Sequence, residues 1–144
     1  MRKDAQRWLL LLGSSRADDS LMCAAIAQLG ERGSATWLTP IKRFAADDGS
    51  ARRFYNALAI WEVADSHTGA QAQIRQIELA LGRDRTRHDE VAIDIDLLAC
   101  WIDGAWNAHA HALEKREFDR VLVQRLLDQV GISVVCAAAP PDAG

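Results

Sequence analysis

An α+β fold is predicted by three observations on this 144-residue chain. Apolar runs at 7–13, 54–64 and 91–103 have the length and composition of strands. Between and after them, apolar residues recur at helical spacing, around 21–29, 70–81 and 118–126. Turn residues such as Gly13, Gly33 and Gly82 separate the two kinds of segment.

The elements follow in order. "RWLLLLG" (7–13) is a strand buried on both faces. "SSRADDS" is a turn with helix-capping residues. Leu21, Ala24, Ala25 and Leu29 mark a helix that Gly30 and Gly33 end. "SATWLTPIKR" (34–43) is β-prone, but Pro40 demotes it to an edge or a broken strand. "FAADDGSARR" (44–53) is a polar loop with Gly49. In "FYNALAIWEVA" (54–64), Phe54, Asn56, Leu58 and Ile60 share one face. Tyr55, Ala57, Ala59, Trp61 and Val63 share the other. Asp65 or Ser66 can cap the next helix, whose core stripe is Ala70, Ile74, Ile77 and Leu81. Gly82 closes it. "RDRTRHDE" (83–90) is a charged, mobile loop. "VAIDIDLLACWID" (91–103) is the last long strand. A loop rich in Ala and His leads to the helix "KREFDRVLVQRLLDQV", with Phe118, Val121, Leu122 and Leu126 inward. The order is βαββαβ plus a terminal helix. That is a ferredoxin-like sandwich, an antiparallel sheet with helices on one face and an added C-terminal helix. One domain over 1–132 and a loose tail over 133–144 are expected.

Composition narrows the function classes. A hydrophobic fraction of 49% with 26% charged residues is ordinary for a globular domain. A net charge of −3 gives no support to a general nucleic-acid binder. No run approaches the ~20 apolar residues of a membrane span. "WLLLL" is shorter than the roughly 7–15 residues of a signal-peptide core. Cys23, Cys100 and Cys136 are scattered, without C-x-x-C spacing, so neither a disulfide framework nor a zinc site is indicated. A reducing cytoplasm fits. His109 and His111 in "NAHAHA" are too few for a metal site by themselves. The five Trp are read as packing residues. No internal repeat is present.

The chemistry concentrates in "AIDIDLLAC" (92–100). Side chains alternate across a strand, so Asp94 and Asp96 project to one face, with Cα atoms roughly 6.5–7 Å apart. Two acids that close repel in a dry, empty site. A divalent cation relieves this, and Mg²⁺ usually takes one or two carboxylates plus substrate phosphates. Arg83, Arg85 and Arg87 stand just upstream, and guanidinium forks match phosphate oxygens. Acids for a metal and arginines for phosphate are parts of phosphoryl-transfer sites. The competing reading makes the acid face the solvent side of an amphipathic strand, since D-x-D alone is a weak motif.

The run "QIRQIELALGRDRTRHDEVAIDIDLLA" resembles the 6-hydroxymethyl-7,8-dihydropterin pyrophosphokinase family. That family has a helix ending in I-E-x-x-x-G-R-x-R, a flexible loop, then a D-x-D strand. Here these are Ile77, Glu78, Gly82, Arg83, Arg85, Asp94 and Asp96. "LLGSS", "LTP" (38–40), "RFYNALAI" and "REFDRVLVQRL" resemble further family segments in the same order, over roughly 7–130. The resemblance implies transfer of pyrophosphate from ATP to a pterin hydroxymethyl group, releasing AMP, in folate biosynthesis. It implies Mg²⁺ on Asp94 and Asp96, and ATP phosphates at Arg83, Arg85 and Arg116. Glu78 would lie near the nucleotide. Phe54 and Phe118 would sandwich the pterin, with Asn56, Thr39 and Pro40 beside it. ATP and a pterin are the partners implied, with no nucleic acid or membrane and no named protein partner.

The chain departs from that family at several points. The loop before D-x-D is about two residues shorter, which bears on closure and water exclusion. Val91 stands where the family has an arginine. Strict register from Arg116 puts Ala110 at the family histidine, with His109 and His111 on either side. Ser15 replaces the Asn after Gly-Ser. Three functions follow: a divergent pterin pyrophosphokinase, a non-catalytic descendant that binds nucleotide, pterin or a protein, or a same-fold kinase-like enzyme with another substrate.

Overall fold

Strand β1 (Gln6–Ser14) is the middle of the architecture because "RWLLLL" can bury a side chain on either side of a sheet. The computed structural model describes residues 5–45, 51–64, 67–87 and 90–136. After β1 come α1 (Ser20–Arg32), β2 (Ser34–Trp37), β3 (Lys42–Ala45), β4 (Arg53–Val63) and α2 (His67–Ala80). Then follow β5 (Asp94–Ile102), β6 (Ala105–Ala108), α3 (Ala110–Glu114), α4 (Val121–Gln129) and β7 (Val134–Val135). A 3-10 turn over Glu117–Asp119 joins α3 to α4.

The strands form one sheet in the order β2-β4-β1-β5-β6-β7, with β3 also paired to β4. Among the described residues, only the β6–β7 pairing is parallel. β1 pairs along nearly its whole length with β4 and β5. Trp8, Leu10 and Leu12 point to one side, where they meet Met22, Ala25 and Leu29 of α1 and Ala70, Ile74 and Ile77 of α2. Leu9 and Leu11 point to the other, against Leu58, Leu98 and the α4 residues Leu122, Val123, Leu126 and Leu127. Each fully buried leucine contributes roughly 1.5–3 kcal/mol.

Helices therefore cover both faces, not one. The C-terminal helix lies on the side opposite α1 and α2, and its phase differs from the sequence expectation. Val121 is 57% exposed, while Val123 and Leu127 are buried. The 3-10 turn before it resets the helical count, because three residues per turn differ from 3.6. In α1 the buried residue is Met22 in place of Leu21, and Gly30 lies inside the helix while Gly33 caps it.

The segment 34–43 is the broken strand expected of Pro40. β2 and β3 each pair with β4, and the gap between them is bridged by side chain and backbone. Leu38 donates its N–H to Leu58 O at 2.8 Å, and Thr39 Oγ1 accepts the Leu58 N–H at 2.9 Å. Two elements escaped the reading of the Ala- and His-rich stretch, β6 and α3. The Asp103-Gly104 turn was the available signal: φ values of 51° and 79° make it a two-residue hairpin turn. The expected tail from 133 contains β7; 137–144 lie outside the described residues. So do the proposed cap at Asp65 or Ser66, the Gly49 turn and residues 88–89 of the charged loop.

β5 carries a bulge. Leu9 faces Ala99 while Leu10 faces Leu97, so Leu98 is an extra residue. Before it, Ile95 and Leu97 face the α1–α2 side, and Asp94 and Asp96 face the other. After it the alternation is reversed, which lets both Leu98 and Ala99 enter the α4-side core.

Candidate active site

Asp94 and Asp96 stand on the sheet face that α4 only partly covers. Arg83, just past α2, donates from Nη1 to Ile93 O at 2.9 Å and to Asp94 Oδ1 at 3.0 Å. Lys115 Nζ lies 3.2 Å from Asp96 Oδ1 and 3.6 Å from Glu117 Oε2. Glu117 is buried and also takes the Arg120 guanidinium at 3.0 Å. Glu78, 3% exposed, accepts the Ile95 N–H at 2.8 Å and meets Arg85 at 3.1 Å.

The electrostatics follow from this crowding. Burial first, then the neighbouring Asp94 charge, pushes the Asp96 carboxyl up to about 8. Burial works the same way on Asp94, but the hydrogen bond from Asp96 and the charges of Arg83 and Lys115 outweigh it and hold Asp94 low. The pair thus shares one proton. Burial also raises Glu78. Desolvation pulls against the charge on Lys115, yet the carboxylates of Asp96 and Asp94 keep it raised.

Two cavities meet at this wall. One, about 150 Å³, is lined by charged groups including Glu78, Arg83, Arg85, Asp94, Asp96 and Lys115, with His109 and His111 at its side. The other, about 130 Å³, is lined by Leu11, Gly13, Phe54, Asn56, Val91, Arg120 and Leu122. Asp94, Asp96 and Arg83 line both. Gly13 keeps the second cavity open, pairing with Asn56 on one side and Asp94 on the other. A Cβ there would stand 2.8 Å from Asn56 Nδ2. Asn56 is 5% exposed; its Nδ2 donates to Leu12 O at 3.3 Å, and its Oδ1 is buried without a hydrogen-bond partner. Buried orphans of this kind call for an explanation such as a ligand or water.

Most of the candidate residues are thereby brought together. Phe54 and Asn56 share the apolar cavity; Glu78, Arg83 and Arg85 share the charged one. Thr39, Pro40, Arg116 and Phe118 line neither. Thr39 is occupied with the Leu58 N–H, and Arg116 pairs with Asp119 at 2.8 Å on the surface. Phe118 packs against the α4-side core. Sequence reasoning missed Lys115, Glu117 and Arg120 as site residues. Lys115 meets Asp96 from about twenty residues away, so no local pattern ties it to the acids; Glu117 and Arg120 form an i,i+3 pair whose link to the site runs through Lys115. It also missed how the Gly-Ser-Ser turn holds the loop before β5. Ser14 Oγ donates to Ala92 O at 2.6 Å. Ser15 N–H donates to Val91 O at 2.8 Å, and Ser15 Oγ accepts the Val91 N–H at 2.7 Å.

The donor set suits a hard divalent cation. Two carboxyl groups on one face are what Mg²⁺ takes alongside ligand oxygens, and the proton that crowding holds on Asp96 must leave as the metal binds. Among the described residues no group of three or more His, Cys, Asp or Glu side chains forms a full metal cage. The remaining ligands would come from a bound phosphate or water. No helix among the described residues is long and apolar enough to cross a membrane.

Comparison with known families matches residues 9–128 to 7,8-dihydro-6-hydroxymethylpterin-pyrophosphokinase (HPPK). No curated protein matches the chain. Among solved structures, the C-terminal domain of the MgtC protein from Mycobacterium tuberculosis is similar at 13% identity and a TM-score of 0.37. That likeness covers 67% of this chain and 92% of that one and is too slight to carry an argument.

Proposed function

The chain belongs to the 7,8-dihydro-6-hydroxymethylpterin-pyrophosphokinase family, and from that premise we propose that it transfers pyrophosphate from ATP to 6-hydroxymethyl-7,8-dihydropterin. One observation carries the reading: a charged cavity and an apolar one share the wall Asp94–Asp96–Arg83. A two-substrate transfer needs such a wall, with phosphates on one side and a flat heterocycle on the other. The strand order β2-β4-β1-β5, with α1 and α2 on one face, supports the ferredoxin-like form of the fold.

Asp94 and Asp96 would hold Mg²⁺, which when bound neutralises phosphate charge. Arg83 and Arg85 meet phosphate oxygens from the charged cavity. Asn56 Oδ1, which has no partner, accepts a ring N–H, and its amide offers a donor. Phe54 provides a stacking surface. The pterin hydroxyl oxygen attacks the β-phosphorus, the bond to the α,β-bridging oxygen breaks, and AMP leaves as the hydroxyl proton is lost. His109 and His111 both line the charged cavity and stand in for the family histidine. Thr39, Pro40, Phe118 and Arg116 keep binding roles only if the site closes further around ligand. The protein acts in the cytoplasm.

Val91 favours a second reading, a descendant that binds these ligands without efficient transfer. Its side chain lines the apolar cavity where the family aims an arginine at phosphate. Incubating the purified protein with ATP, Mg²⁺ and hydroxymethyldihydropterin tests the first reading. AMP and a pterin diphosphate are expected. Binding of both ligands with no AMP formed would favour the second.

A further inference from the structure

Every cation of the charged cavity discussed so far has a carboxylate partner. Arg83 has Asp94, and Arg85 has Glu78. Lys115 differs in having two, Asp96 and Glu117, on different elements. Its backbone is fixed: Lys115 N–H donates to His111 O at 3.0 Å, and Arg116 beyond it adopts φ 57°. Its side chain is 44% exposed, so a static ion pair there would add little to stability. The second carboxylate, Glu117, is 4% exposed and held from behind by Arg120. It anchors the ammonium in the cavity even if Asp96 is taken.

We propose that Lys115 is a phosphate-binding residue of this chain, handed from Asp96 to a ligand phosphate when Asp94 and Asp96 engage a divalent cation, with Glu117 and Arg120 as its positioning residues. The inference rests on the function proposed above. A metal-bound carboxylate has less negative charge to offer, and two cations on one oxygen repel. The displaced ammonium needs a new acceptor. Its ammonium sits on a flexible four-carbon stem with three donors, which suits an acceptor that arrives with the metal. Lys115 reaches the charged cavity from the segment between α3 and α4, whereas Val91 lines the neighbouring cavity and brings no charge.

Calorimetric titration with Mg²⁺ alone and with Mg-ATP tests this on wild type, Lys115→Met and Lys115→Arg. Lys115 competes with the metal for Asp96 but cooperates with it through phosphate. Lys115→Met is therefore expected to bind Mg²⁺ alone more tightly and Mg-ATP about tenfold less tightly, the scale of one charge-assisted contact. Lys115→Arg is expected to recover part of the Mg-ATP affinity. A purely structural role would not shift the two affinities in opposite directions. If Lys115→Met fails to fold, Lys115→Gln gives the same comparison. Wild-type binding of Mg-ATP with unchanged or parallel shifts in the variants would overturn this inference and leave the proposed function standing. Wild type that binds no Mg-ATP would overturn both.

Discussion

At Asp96 the proton balance sets a dependence on pH that a surface aspartate would not show. The folded carboxyl is pushed up to about 8, against an ordinary value of 3.8. Between those values the folded chain holds a proton that the unfolded chain has lost, so stability falls as pH rises through the window. Asp94, held low, acts in the opposite sense and only below the ordinary range. In chelator, the melting temperature of wild type is expected to fall from pH 5 to 8, and Asp96→Asn to flatten that fall. Equal slopes in the two proteins would refute the shared proton. Phe54 allows a second residue-level test. The Arg52 guanidinium lies 5.0 Å from its ring centroid, so the proposed pterin would stack on a ring that already serves a cation. Phe54→Ala is expected to cost pterin binding about 0.5–1.5 kcal/mol beyond lost contact area, with ATP binding little changed. Equal loss of both ligands, with a lower melting temperature, would mark Phe54 as core. Asp94, Asp96 and Asn56 were legible in the sequence because a strand's alternation fixes which face they share. Lys115 was not, since its ion pair with Asp96 across the fold leaves no periodicity, and the i,i+3 pair of Glu117 and Arg120 gains its place in the site only through Lys115.

At the scale of elements, the loop into β5 is the part whose function depends most on its anchoring. Val91 is bound through both its N–H and its C=O to Ser15. A longer side chain at 91 inherits that fixed backbone. Val91→Arg alone is expected to recover little transfer rate, whereas Val91→Arg in a loop lengthened by about two residues should recover more. A missing charged contact to developing phosphate charge costs roughly 100- to 1000-fold in rate. Single-turnover AMP formation by the two variants checks this; full recovery by Val91→Arg would show that the anchoring does not matter. Ser15→Ala with Val91→Arg separates anchoring from length. The long elements were readable because β1 is an unbroken apolar run, β4 and α2 each have a period, and a glycine or polar run closes each of them. β6 and α3 were not, because four or five residues rich in alanine give no period to read. The Asp-Gly pair at 103–104 carried the only local sign of them.

For the whole molecule, the sheet has a core on each face, and both share β1. Leu10 belongs to the α1–α2 side and Leu126 to the α4 side. Because alternate residues of one strand serve both, the two halves are expected to melt together. Leu10→Ala and Leu126→Ala should each cost about 2–5 kcal/mol and keep one transition in denaturant. A separate early transition in Leu126→Ala alone would make α4 an independent lid over the sheet. The helix on the second face was the least readable feature at this scale. Amphipathicity shows that a helix has a buried side, not which side of a sheet receives it.

The bulge at Leu98 makes β5 two strands in sequence grammar but one in space. Upstream of it, odd and even positions are assigned by the acids; downstream, the assignment is swapped and set by the core and the Trp101–Trp106 contact, whose ring centroids are 5.2 Å apart. For a protein engineer this is a decoupling joint. Residues 99–102 can be redesigned for packing without turning Asp94 or Asp96 away from the cavities they line. Deleting Leu98 would close the ladder into regular alternation, with Leu97 still opposite Leu10 and Ala99 opposite Leu9, and would take one buried leucine from the α4-side core.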